Sequence, residues 1–164
     1  MPRPVYLLCS QSGAIDETSN AISFFNLIEE VKRFKIPKKH LASAFRPLAM
    51  RVVACWMNAD GDAPGQVFEA QFAAKYPNKG EELPDEYIFS TPAFSFKTVY
   101  HRLIAPVVEL PPFAGPGILW IECRVRRQGE QDWLAKQEYP IQLIDVTPSG
   151  PGGGENIKDG SADQ

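Results

Sequence analysis

The chain has 164 residues, 17 of them basic and 20 acidic, for a formal net charge of −3. That balance disfavours a globally basic nucleic-acid binder, although a local basic patch remains open. No stretch approaches about 20 consecutive apolar residues, so no membrane-spanning helix is expected. Fifteen prolines punctuate the sequence, among them Pro37, Pro47, Pro64, Pro77, Pro84, Pro92, Pro106 and Pro140. A long helix cannot cross such positions, because proline lacks the N–H donor and clashes with the preceding turn, whereas short strands fit between them.

Pro4 to Ser10 (PVYLLCS) reads as a first strand, and the polar run Gln11 to Asn20 as a connection. Ala21 to Phe34 supports two readings. Phe24, Leu27, Ile28 and Val31 fit a helical face, while Phe25, Leu27 and Val31 fit alternation. The strand, with a bend near Asn26, is favoured by the surrounding β segments and by the first strand's need for an antiparallel partner. Lys38 to Phe45 suits one helical turn or an irregular crossover.

Leu48 to Asn58 is apolar on both faces and is expected to be a central strand. Asn58 to Asp62 is a turn. From Gln66 to Tyr76, Phe68, Ala70 and Phe72 alternate with Val67, Glu69 and Gln71, the period of a strand with one buried face. Tyr87 to Phe89 starts another strand, and Phe94 to His101 alternates again. Leu103 to Leu110 is extended, followed by a tight connection at Pro111 to Gly117. In Ile118 to Arg127, Leu119, Ile121, Cys123 and Val125 face in, and Glu122, Arg124 and Arg126 face out. Trp133 to Val146 closes the domain with Tyr139, Ile141 and Leu143 on one face.

About eight short strands separated by turn signals are the pattern of an all-β, two-layer antiparallel β-sandwich, immunoglobulin-like or similar. The domain is expected to span residues 1–146. Residues 147–164 (TPSGPGGGENIKDGSADQ) have one large apolar side chain, Ile157, and so are expected to be a flexible tail, ordered only by a partner.

Two segments carry a resemblance. Gly13 to Pro37 leads through a polar turn into ISFFNLIEEVKRFKIP, and Leu110 to Val146 pairs PPFAGPGILWIECRV with YPIQLIDV. Together they resemble a bacterial family of compact β-sandwich domains known chiefly as a conserved domain of unknown function. The resemblance implies the fold and a bacterial or phage setting. It carries over no catalytic residue.

No catalytic, cofactor or metal motif stands out. His40 and His101 lie in different segments, and a reaction centre needs partners that converge. Asn58, Asp60 and Asp62 have the opening spacing of a calcium loop, but Gly61 is misplaced and no acid closes it. A turn built from Asn, Asp and Gly needs no ion. Cys9, Cys55 and Cys123 each sit in an apolar run without a paired cysteine nearby, so three buried thiols are expected. The chain opens without a charged start, apolar run and cleavage site, so the cytoplasm is the expected compartment.

Two surfaces could meet a partner. Trp120 shares its face with Glu122, Arg124 and Arg126, and a tryptophan there is either covered by a loop or available for contact. Trp133 could join the same surface. These four residues, Trp120, Trp133, Arg124 and Arg126, are the candidate site for a protein partner or for self-association. The second surface is basic. Between Glu30 and Asp60 there is no acid, while Lys32, Arg33, Lys35, Lys38, Lys39 and Arg46 are cationic. Such a stretch could hold a small anion or nucleic acid, or it could be a solvated connection. The expected function is a non-enzymatic β-sandwich module acting through protein–protein contact, with anion binding as the alternative.

Overall fold

The computed structural model describes residues 1–15, 22–34, 50–59, 65–76, 86–107 and 116–146. Within them the chain forms ten strands and no helix: β1 (Pro2–Ile15), β2 (Ile22–Leu27), β3 (Glu30–Phe34), β4 (Met50–Asn58), β5 (Val67–Lys75), β6 (Glu86–Ser90), β7 (Ala93–Ser95), β8 (Tyr100–Val107), β9 (Gly117–Arg127) and β10 (Ala135–Val146). The first sheet has the order β2-β1-β4-β8, and the second β3-β10-β9-β5-β6, with β7 also pairing β5. The fold is a β-sandwich, as the alternation implies. The Lys38–Phe45 crossover and the 147–164 tail lie outside the described residues.

Two sites raise the strand number above the expected eight. The first is the ambiguous 21–34 segment, which is extended but divided between the sheets. Asn26 lies at φ 55°, a left-handed conformation that asparagine tolerates better than most residues. Ile28 then turns inward, and its N–H donates to the Cys9 carbonyl at 2.9 Å. Leu27 is exposed while Ile28 is buried, so the apolar residues that could have shared a helical face do not. The second site is Thr91-Pro92, between β6 and β7. Proline cannot donate there, and its carbonyl instead accepts the Ala70 N–H at 2.9 Å.

One pairing departs from the antiparallel expectation. β3 runs parallel to β10, from Glu30 opposite Gln142 to Phe34 opposite Val146. Having left the first sheet at Ile28, the chain joins the second at its margin in the same direction as β10.

The core lies between the sheets. Met50, Val52, Ala54 and Trp56 of β4 meet Phe68, Ala70 and Phe72 of β5, Leu119, Ile121, Cys123 and Val125 of β9, and Ile141 and Leu143 of β10. Val53 and Cys55 are buried on the outer side of β4, so that central strand is covered on both faces. β1 also curls. Phe24 pairs with Gly13, seven residues beyond Tyr6, which in a straight strand would separate them by roughly 23 Å. Their rings meet edge-on at 6.0 Å, so the β1–β2 hairpin bends back toward Tyr6.

Candidate interaction surface

The outer face of the second sheet is organised by β9. Its neighbours β10 and β5 set Pro140 and Lys75 beside Trp120, Glu138 and Ala73 beside Glu122, Lys136 and Gln71 beside Arg124, and Glu69 beside Arg126. Strand pairing places these side chains in rows, and the rows decide what each can touch.

Glu122 points outward, as its register requires, yet it is only 1% exposed. Ala73 next to it is small, which lets long cationic side chains close over the carboxylate. Lys75 Nζ lies 2.6 Å from Oε2, Arg124 Nη1 3.4 Å from Oε1, and Lys136 Nζ 3.9 Å from Oε2. Glu138 stands directly opposite Glu122, an unfavourable like-charge pair. Lys136 relieves it by also bonding Glu138 at 3.0 Å. That bond raises the Lys136 pKa and lowers that of Glu138.

The arginines are equally committed. Arg124 donates from Nε to Gln71 at 2.9 Å and from Nη2 to Glu86 at 2.7 Å. Arg126 donates from Nε to Glu69 at 3.0 Å. The half-buried Trp133 ring centre lies 4.6 Å from each guanidinium carbon, within cation–π reach of both. Four cations (Lys75, Arg124, Arg126 and Lys136) are thus matched by four carboxylates (Glu69, Glu86, Glu122 and Glu138) within one lattice.

Trp120 lies at the edge of this lattice and outside its bonds. It is 39% exposed, next to exposed Ile118 and Pro140. Ile118, Tyr139, Pro140 and Gln142 help line a hollow of about 670 Å3 beside it. Pro140 belongs there for a backbone reason. The Gln142 N–H donates toward β3, to the Glu29 carbonyl at 2.8 Å. Residue 140 points its backbone the same way, so its missing N–H costs the β9 ladder nothing.

The four expected interaction residues therefore share one face but differ in what they offer. Arg124, Arg126 and Trp133 hold one another and nearby acids, and Trp120 presents its ring to solvent. Of the basic stretch, Lys32 and Arg33 stand on β3, with side chains that are not described, and Lys35, Lys38, Lys39 and Arg46 lie outside the described residues. So do His40, Asp60 and Asp62.

His101 faces the core from β8. It stacks on Phe94 at 4.7 Å and meets Phe96 edge-on at 6.2 Å. Burial, followed by nearby Lys97, pushes its pKa below the ordinary value. The three thiols are buried, and burial pushes Cys9 and Cys123 up to about 12. Cys55 is raised by burial too, against the opposing effect of Tyr6 and Arg102 beside it. Among the described residues, no three His, Cys, Asp or Glu side chains converge as a metal site.

Two residues escaped the sequence reading. Glu122 was legible as outward-facing, but its burial depends on lysines from two other strands. Gln137 shares the inward register of Tyr139 and Ile141. It is buried, and its Nε2 donates across the core to the Cys55 carbonyl at 3.0 Å. A polar side chain in an apolar register was the signal that could have revealed it.

No family model matches the chain, and no curated protein does.

Proposed function

We propose that this chain is a non-enzymatic, cytoplasmic β-sandwich module, of the bacterial kind it resembles, that works through contact with another protein. The contact surface is the outer face of the second sheet, centred on Trp120. The observation that carries this reading is an exposed tryptophan, flanked by Ile118 and Pro140, at the border of a lattice whose charges are already matched. Such a face has little net field to draw in a charged ligand. It suits a partner protein that offers apolar side chains to the ring, and buried tryptophans are frequent anchors of such contacts.

The test is affinity capture followed by titration of the purified partner against the native chain and Trp120→Asp. The variant is expected to bind at least about tenfold more weakly while keeping the native circular dichroism. Equal binding by both chains overturns the proposal.

The alternative is anion or nucleic-acid binding by Lys32, Arg33, Lys35, Lys38, Lys39 and Arg46, supported by the run without acids between Glu30 and Asp60. Salt separates the two readings. Binding to phosphate falls steeply as salt rises, whereas contact through a neutralised face around Trp120 changes little.

A further inference from the structure

The hollow beside Trp120 takes no part in the charge lattice. Ile118 and Pro140, both exposed, line it together with Gln142. Its volume, about 670 Å3, lies within the range of ligand sites, about 300–1,000 Å3. Among the described lining residues Glu29 alone carries a formal charge. Glu29 is exposed, and no cation among the described residues pairs with its carboxylate. An apolar hollow with one unmatched anion at its border suits an aliphatic side chain with a base next to it.

The chain itself carries such an occupant. After β10 the sequence runs TPSGPGGGENIKDGSADQ, where Ile157 is the only large apolar side chain and Lys158, directly after it, is the only base. The reach matches as well. Val146 ends β10, four residues past Gln142 and six past Pro140, which is roughly 13–20 Å along a strand. From Val146 to Ile157 is 11 residues, and a glycine-rich run of that length has a root-mean-square span of about 17–20 Å. A linker gives its greatest effective concentration, in the millimolar range for short ones, when its span equals the gap. Pro148, Gly150 and Pro151 supply the turn chemistry that a reversal of direction needs.

We propose that the 147–164 segment folds back on its own domain, with Ile157 seated in the hollow against Ile118 and Pro140 and Lys158 paired with Glu29 at the border. A slip of one residue either way would seat Lys158 or Asn156 in the hollow and bring Asp159 or Ile157 to Glu29, so one register satisfies both the apolar wall and the anion. The described lining offers no cation to Glu155 or Asp159, and these stay in water. Because the hollow adjoins Trp120, a docked segment also stands in the way of a partner there. That role rests on the contact proposed above, whereas the docking does not.

The experiment is methyl and amide NMR of the whole chain at two concentrations. The native protein is compared with Ile157→Asp, Lys158→Glu, Glu29→Lys and the double exchange of Lys158→Glu with Glu29→Lys. Nuclear Overhauser contacts from the Ile157 methyls to Ile118 and Pro140 are expected, unchanged by dilution. Ile157→Asp should shift the Ile118 and Gln142 amide resonances to undocked positions. Each single charge exchange should lower the docked fraction at least about twofold, and the double exchange should restore it. Absence of the Ile157 contacts overturns the proposal, as do unmoved Ile118 and Gln142 resonances in Ile157→Asp. A docked fraction that falls on dilution assigns the segment to a second copy and overturns it too. So does a double exchange as weak as either single one, because Lys158 and Glu29 then do not meet. None of these outcomes bears on partner capture by the native chain and Trp120→Asp, so the two proposals fail separately.

Discussion

Two neighbouring positions on the outer side of β9 reverse the usual relation between polarity and exposure. At Glu122 a carboxylate is almost fully covered, while two residues away, on the same side of the same strand, Trp120 is 39% exposed. The neighbours account for the difference. Glu122 is flanked by Ala73 and surrounded by Lys75, Arg124 and Lys136, whose stems cover it and whose charges compensate it. Trp120 is flanked by Pro140 and Lys75, and Lys75 reaches away from it to Glu122. Burial on a sheet's outer face is thus set by what the adjoining strands can fold over a position, more than by that position's own hydropathy.

The largest expected effect comes from breaking the covered position. Glu122→Ala leaves Lys75 and Lys136 without their shared anion, and it is expected to lower stability by about 2 kcal/mol in denaturant titration. This is below the cost for a fully buried pair, because both lysines can turn to water. A loss of less than a few tenths would show that the lattice is ornamental to stability.

Trp133→Ala comes next. It removes the ring that two guanidiniums approach, each contact worth about 0.5–1 kcal/mol, and a loss of about 1–2 kcal/mol is expected. The Arg124 and Arg126 bonds to Glu86 and Glu69 should survive, so Trp133→Phe should recover part of the loss.

At the open position Trp120→Ala should cost the fold less than Glu122→Ala does, since over a third of the residue already meets water and the ring makes none of the lattice's bonds. If it destabilises more than Glu122→Ala, the contrast between the two positions is wrong.

The smallest effect at neutral pH belongs to the thiols beneath this face. Burial holds Cys9 and Cys123 at about 12, against an ordinary 9.0. In the unfolded chain these thiols ionise near the ordinary value, which favours unfolding. Their contribution is therefore complete below pH 9 and is lost as pH rises from 9 toward 12. Denaturation midpoints should fall across that window, and replacing both cysteines by alanine should flatten the fall. Native thiols should also resist alkylation at pH 8 until the chain unfolds.

Alternation made much of the sandwich legible. Phe68, Ala70 and Phe72 went inward, and Leu119, Ile121, Cys123 and Val125 did the same, because side-chain direction in a strand is a local property. The face of Trp120, Glu122, Arg124 and Arg126 followed from the same rule. What stayed hidden was non-local. Glu122 and Lys75 are 47 positions apart, and nothing near either one announces the pair. Nor could the 21–34 pattern show that the chain changes sheets at Ile28 and returns parallel to β10. That outcome rests on an asparagine in a left-handed conformation and on a carbonyl of β1 waiting for the Ile28 N–H.

The bond from Gln137 to the Cys55 carbonyl ties one layer to the other through main chain. A main-chain acceptor has no genetic variants, so no second-site replacement of Cys55 can excuse the loss of the donor. Position 137 must keep a side chain long enough to span the gap and able to donate a hydrogen bond. Asparagine, one methylene shorter, should fail there, and homologous chains should be far less free at this residue than at the charged ones on the far side of the same strand.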